Sequence, residues 1–282
     1  MKTNHFIERL ENLPFLIMSH RGLWGGNVIE NSIESTQLAF KAGADIVEVD
    51  VCQTSDGEYY LFHDGNEPNV LRKTENFRLL SSEEIDGADV YNSIGTPSGK
   101  KIIKLSDYLK WLPDDYLINI DRSWPYWKEE SFFKLIRESG KEDQLFFKSP
   151  VASKYLDSFS KNGKGLNYVP ILMTREEFEV VRSYPKLQMI GVELVVRDLN
   201  DSLLDEDWLH ELRDKNLFTV ANVENLGEDF NLFGGIDDDT ILFGEHTWAD
   251  VISQRMDVIQ TDWPNFAVAY RKQIKVEGDL SQ

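Results

Sequence analysis

Eight short runs rich in β-branched and aromatic residues alternate along the chain with amphipathic stretches, and this alternation constrains the fold more than any other feature. The runs are 16–20, 46–52, 116–121, 144–148, 168–172, 189–195, 218–222 and 258–262. Helix-like segments follow most of them, at 32–41, 127–139, 153–161, 175–183, 205–215 and 265–272. Such alternation predicts βαβ units and a parallel sheet. Eight units in 282 residues predict an α/β fold closed as a (β/α)8 TIM barrel, which typically needs about 250 residues. A doubly wound open sheet is the alternative. We read residues 1–282 as a single barrel domain, with 274–282 as a frayed tail.

A ninth run, 58–63, breaks the alternation. Thr54, Ser55, Asp56 and Gly57 separate it from the second strand by a turn. If Asp56 and Gly57 form a two-residue hairpin turn, counting back pairs Asp50 with His63, and opposed residues share a face. Glu48 and Asp50, two apart on one strand, share it too. Residues 64–104 then form one long insertion of weak periodicity, expected to cap one edge of the barrel.

Barrel enzymes build their sites at the carboxyl ends of the strands. The polar residues there are His20, Arg21, Glu48, Asp50, His63, Asp64, Asp121, Lys148, Glu193, Asn222 and Asp262. Burying Glu48, Asp50 and Asp121 together without compensation is prohibitive. One divalent cation with oxygen ligands, Mg²⁺ or Ca²⁺, is the expected partner; ion pairing with Arg21 or Arg122 is the other arrangement. His20 and His63 end strands at the same rim, where two imidazoles can divide general base and general acid roles. Glu193 is placed to meet substrate hydroxyls. Trp24, Trp124, Tyr126, Trp127 and Trp263 follow strand ends and serve either packing or substrate stacking.

Charge narrows the partners. The chain carries 30 basic and 49 acidic residues, a net charge of −19, which opposes binding to a nucleic-acid backbone. No stretch approaches the length of a membrane-spanning helix, and no basic-then-apolar leader opens the sequence. The single cysteine, Cys52, fits a reducing compartment, so a cytoplasmic location is expected. Nothing in the sequence reads out an oligomeric state.

Five linked motifs carry a resemblance. They are Ser19, His20, Arg21 and Gly22; Glu30, Asn31 and Ser32; residues 43–51 ending in Glu48, Val49, Asp50 and Val51; Thr54 to Gly57 with Phe62, His63 and Asp64; and Gln260, Thr261, Asp262, Trp263 and Pro264. Their order and spacing resemble the glycerophosphodiester phosphodiesterase family, most sharply over 19–64 and 258–264. The resemblance implies a (β/α)8 barrel that cleaves a small polar phosphodiester with a bound divalent metal. It places the catalytic histidines on His20 and His63, the phosphate-binding arginine on Arg21, and the first two metal carboxylates on Glu48 and Asp50. Glu30 matches an acid that lines the metal site or stands one residue behind it.

Two departures stand out. The family's glutamate on the third barrel strand is Asp121 here, and the lysine expected two residues later is Ser123. Lys148 ends the neighbouring strand and is expected to supply that charge. Thr219, Val220, Ala221 and Asn222 replace the family's usual tryptophan, threonine, valine and asparagine. The expected chemistry is hydrolysis of a glycerophosphodiester or sugar phosphodiester to a phosphomonoester and an alcohol, with His20 as base, His63 as acid, and Asn222 and Trp263 beside the substrate. A synthase or transferase joining two alcohols through phosphate on the same site, as in opine-type sugar phosphodiesters, is one alternative; an inactive ligand-binding module is another.

Overall fold

The computed structural model describes residues 5–226, 232–243, 248–253 and 256–280. Eight parallel strands close into a ring: β1 (Leu16–Ser19), β2 (Ile46–Gln53), β4 (Leu117–Asp121), β5 (Leu145–Pro150), β6 (Asn167–Leu172), β8 (Gly191–Leu194), β9 (Phe218–Asn222) and β10 (Val258–Thr261). Each pairs with its neighbours in that order, and β1 closes the ring by pairing with both β10 and β2. The barrel is therefore the expected (β/α)8 closure, not an open sheet. The expected run 189–195 is split: β7 (Gln188–Met189) and β8 both pair with β6, on either side of Ile190.

The inward faces follow the two-residue period of a strand, and their chemistry changes with height. At the floor lie Leu16, Met18, Ile46, Leu117, Phe146, Val169, Ile190, Phe218, Val220 and Val258, closed by Phe6 of α1 (His5–Leu10). The Phe6 ring meets Phe146 edge-on at 5.2 Å. Two residues further up five of the strands the apolar side chains give way to Glu48, Asn119, Lys148, Asn222 and Gln260, all buried. The alternate residues face outward and form the main core with the surrounding helices. These are α2 (Ile33–Ala42), α5 (Leu105–Trp111), α6 (Glu130–Glu138), α7 (Ser153–Asn162), α8 (Arg175–Arg182), α9 (Glu206–Asp214), α10 (Ile236–Phe243), α11 (Trp248–Ser253) and α12 (Pro264–Leu280). Within the stretch expected as a tail, the chain is helical as far as Leu280. No helix among the described residues is long and apolar enough to cross a membrane.

The hairpin corrects one expectation. β3 (Tyr59–Leu61) pairs antiparallel with β2, but Val51 opposes Leu61 and Gln53 opposes Tyr59. The register is shifted by one residue from the one a two-residue turn would give. Thr54 N donates to Glu58 O at 2.9 Å, and Ser55, Asp56 and Gly57 form a three-residue loop with Gly57 at φ 93°. Asp50 O therefore accepts from Phe62 N at 3.1 Å, and His63 lies beyond the paired strand. The insertion supplies α3 (Glu67–Val70) and α4 (Ser82–Gly87). It has a core of its own, in which Val70, Leu71, Phe77, Leu80, Ile85 and Val90 pack on Cys52, Tyr60 and Phe62 of the hairpin.

Candidate active site

The turn after β1 is built around a close approach. Arg21 adopts φ 54° and Gly22 φ 78°. A Cβ on Gly22 would stand 2.6 Å from the backbone of Ser35 in α2, so only glycine fits between the rim and that helix. Ser32 caps α2, accepting from Ser35 N at 3.0 Å. This turn aims Arg21 inward. Its backbone N donates to Glu48 Oε2 at 3.0 Å, its Nη1 to Glu30 Oε1 at 3.2 Å, and its Nε sits 3.2 Å from Asp50 Oδ2. Asn31 completes the cradle: its Nδ2 donates to Asp50 Oδ2 at 3.0 Å, and its Oδ1 accepts from Asp50 N at 2.9 Å.

Of the three acids expected to share a cation, Glu48 and Asp50 are buried on one face of β2, and Asp50 is level with Asp121 across the β2–β4 ladder. Asp121 is engaged: Oδ1 accepts from Arg122 N at 2.6 Å, and Oδ2 is 3.1 Å from Lys148 Nζ. Among the described residues no three carboxylate, histidine or cysteine side chains form a ready-made metal cage. Glu48 nevertheless keeps a buried oxygen, Oε1, with no hydrogen-bond partner. Burial pushes its carboxyl well above the usual range, and repulsion from Asp50 and Asp121 adds to this. Burial also works against the charge on Asp50, but Arg21, His63, His20 and the Asn31 hydrogen bond together outweigh it and hold that carboxyl low. Around Glu48 the fixed positive charge is insufficient, which is the condition a bound cation relieves.

Lys148 is 1% exposed, so it does not snorkel to the rim. Its ammonium lies 3.1 Å from Asp121 Oδ2 and 2.7 Å from Glu193 Oε2, and it donates to Gln260 Oε1 at 3.1 Å. Burial alone would discharge it, but Asp121 and Glu193 raise its pKa above that of a free lysine. Ser123, at the expected lysine's position, is buried and accepts from Trp127 Nε1 at 3.1 Å.

The two histidines are held in opposite ways. His20 Nδ1 is 2.8 Å from Asp262 Oδ1 and 3.3 Å from Glu224 Oε2. Burial opposes its charge, but Glu224 and the Asp262 hydrogen bond more than offset this, and its pKa is pushed up to about 10. Burial pushes His63 the other way, below the usual histidine value; Asp50 resists and Arg21 and Arg122 reinforce it. Next to His63, Asp64 is clamped by Arg122 Nη2 at 2.8 Å and Arg78 Nη2 at 2.9 Å.

Two residues to which the sequence assigns no role prove central. Glu224, fully buried, pairs with His20 and accepts from Gln260 Nε2 at 2.5 Å. Gln260 thereby links Lys148 to Glu224 and on to His20. The signal was present in the two-residue period, which runs inward through Val220, Asn222 and Glu224 and through Val258, Gln260 and Asp262. Asn222 itself accepts from Glu224 N at 3.2 Å. Trp263 is 36% exposed and its Nε1 donates to Asp238 Oδ1 at 3.0 Å. Of the other aromatics, Tyr126 and Trp127 belong to the core, whereas Trp24 is 43% exposed.

The closed barrel thus gathers two histidines, an arginine and several buried acids at one rim. The model of the glycerophosphoryl diester phosphodiesterase family matches residues 20–203. The chain belongs to that family. Over 141 residues it is 30% identical to the glycerophosphodiester phosphodiesterase of Caldanaerobacter subterraneus subsp. tengcongensis, a stretch covering 48% of this chain and 57% of that protein. The match thus spans a little over half of the curated relative. The fold is similar to that of a glycerophosphoryl diester phosphodiesterase from Parabacteroides distasonis, with a TM-score of 0.69, 16% identity, and coverage of 92% of this chain and 89% of that one. It is also similar to an Oleispira antarctica phosphodiesterase in complex with the product sn-glycerol-3-phosphate, with a TM-score of 0.63, 16% identity, and coverage of 92% and 97%.

Proposed function

We propose that this chain is a metal-dependent phosphodiesterase that hydrolyses a glycerophosphodiester or a sugar phosphodiester to a phosphomonoester and an alcohol. The observation that carries this reading is the histidine pair: both imidazoles are within electrostatic reach of Arg21 and Asp50, one held charged and the other pushed neutral. The electrostatics favour His63 as general base and His20 as general acid, the reverse of the sequence-based expectation. His63 takes the proton of the attacking hydroxyl, whether of water or of a vicinal substrate alcohol. The new P–O bond forms, the ester P–O bond breaks, and His20 gives its proton to the departing oxygen. Where a vicinal alcohol attacks, water opens the cyclic phosphate in a second round.

Arg21 and Lys148 are the fixed cations for charge on the nonbridging oxygens. Glu48 and Asp50, with Asp121, would hold a divalent cation, which supplies further stabilisation of that charge when bound. Glu224 and Asp262 keep His20 oriented and protonated. A reducing, cytoplasmic setting belongs to the same reading and is supported by the buried free thiol of Cys52.

The pH dependence tests the histidine assignment. Activity requires His63 without its proton and His20 with it, so kcat/KM should fall on the acid side, below the ordinary histidine range, as His63 is protonated, and on the alkaline side near 10. Glu224→Gln removes the anion that holds His20 charged, so its alkaline limb should move to lower pH while the acid limb stays. An alkaline limb unmoved by Glu224→Gln would detach Glu224 from the proton donor.

A further inference from the structure

The first turn of α10 presents Asp237 and Asp238 to the segments that follow β9 and β10. Asp237 is 1% exposed. Its Oδ1 accepts from Thr261 Oγ1 at 2.5 Å and from Trp248 Nε1 at 3.0 Å, and its Oδ2 accepts from Asp262 N at 2.9 Å. We infer that Asp237 is a positioning residue for the proton donor: by fixing residues 261 and 262 it holds the Asp262 carboxylate against His20. The inference rests on the reading of His20 as general acid given above, and it adds a residue that acts on His20 only through Asp262.

Stability does not account for a carboxylate at this point. Among the described residues no lysine, arginine or histidine pairs with Asp237. Burial pushes its carboxyl up to about 7 against the pull of its three hydrogen bonds, and repulsion from Asp262 adds to the rise. A buried acid without a counter-ion is costly, so an apolar side chain would suit packing better. What the carboxylate supplies is geometry. Donors from three places converge on it: an indole of α11, a hydroxyl at the end of β10, and the backbone N–H of the turn beyond. An ionised carboxylate only accepts, so it meets all three. An asparagine amide, in either orientation, would aim an N–H at the Trp248 indole or at Asp262 N.

The turn carries these bonds to the site. Thr261 Oγ1 donates to Asp237 and accepts from Trp263 N at 2.9 Å, and Thr261 O accepts from His20 N at 3.1 Å. Asp262 Oδ1 lies 2.8 Å from His20 Nδ1, although the Asp262 side chain is 39% exposed. An exposed ion pair loses side-chain entropy to hold one geometry, so its backbone must be fixed if the contact is to persist. Asp238 braces the other flank. It accepts from Trp263 Nε1 at 3.0 Å and from Asn225 Nδ2 at 3.2 Å, and Asn225 follows Glu224, the second acid beside His20. One helical turn therefore grips both segments that carry the acids of His20.

The leaving group provides the test. Glycerophosphocholine releases an alkyl oxygen that needs a proton, whereas bis(p-nitrophenyl) phosphate releases nitrophenolate, which does not. Asp237→Asn should lower kcat for glycerophosphocholine about tenfold, inside the roughly 10²-fold that a misplacement of about 1 Å can cost. KM for that substrate, and kcat for bis(p-nitrophenyl) phosphate, should stay within about twofold of the parent. Trp248→Phe deletes the donor that lies outside the turn, so it should lower Tm without any contrast between the substrates. Equal losses on both substrates or no loss in Asp237→Asn, or a contrast in Trp248→Phe, would overturn the positioning role. Should Asp237→Asn fail to fold, Thr261→Val removes the hydroxyl donor at nearly constant volume and must show the same contrast, or the inference fails. His20→Ala is the reference: a contrast there but not in Asp237→Asn overturns this inference alone, and no contrast there overturns the donor assignment and this inference with it. A parent that cleaves neither substrate with a divalent cation present would overturn the phosphodiesterase reading as well.

Discussion

Replacing His63 with alanine is expected to lower turnover by about 10²–10⁴-fold, the usual contribution of a positioned acid–base group, while leaving the fold intact. The side chain is half-buried, lies past the end of β3 and makes no hydrogen bond among the described residues. Its truncation removes the base without stranding a polar partner. His20→Ala should be equally damaging to alkyl diesters, but less clean, because His20 neutralises two acids. Glu224 is fully buried and already pushed by burial to about 7; without His20 its pKa rises further, so the variant loses stability as pH rises and regains it as Glu224 takes up a proton. The pair of variants also separates the roles. Nitrophenolate departs without needing a proton, so His20→Ala should largely spare bis(p-nitrophenyl) phosphate, whereas His63→Ala should damage both substrate types. The opposite pattern would restore His20 as the base. Unchanged rates in either variant would remove that residue from the chemistry.

Lys148→Met is expected to lower turnover by about two to three orders of magnitude, the scale for removing one preorganised electrostatic stabiliser. It should also lower stability by about 3–5 kcal/mol, because Asp121 and Glu193 are left as buried charges without their cation, a fall in Tm of roughly 10 °C or more. The two effects are separable by assaying well below the lowered transition. Burial already raises the pKa of Glu193 and Lys148 holds it down. In the variant the Glu193 carboxyl rises further, so the stability deficit should shrink as pH falls and that carboxyl is protonated. A folded Lys148→Met variant with turnover within tenfold of the parent would show that the ammonium balances Asp121 and Glu193 and does not serve the phosphate.

Most of the barrel was legible because hydrophobic runs and helical segments alternate so regularly, and the strand ends fall within two residues of their expected places. The hairpin register was not. Asp56 and Gly57 satisfy a two-residue turn, but Thr54 pairs with Glu58 and the loop takes Ser55 as well, a choice fixed by tertiary contacts such as Ser55 N to Leu80 O at 2.9 Å. His63 reaches the acidic face regardless, from beyond the strand. α5 (Leu105–Trp111) went unread because it follows the insertion, whose weak periodicity hides where the barrel resumes. Glu224 was missed for a related reason: it lies two residues past the end of β9, and only the continued inward alternation of that strand marks it. Lys148 could be placed from sequence, since adjacent strands lie about 4.8 Å apart and a lysine stem spans that gap. Its second partner, Glu193, and its link through Gln260 required the closed ring.

Metal-dependent hydrolysis is checked by assaying a glycerophosphodiester with protein freed of metal by a chelator, alone and after adding Mg²⁺ or Ca²⁺, with the products identified. The chelated protein should show no turnover, adding one of these cations should restore phosphomonoester and alcohol in equal amounts, and Glu48→Gln should show no recovery. Turnover that survives chelation, or Glu48→Gln that responds to the cation like the parent, would contradict metal dependence.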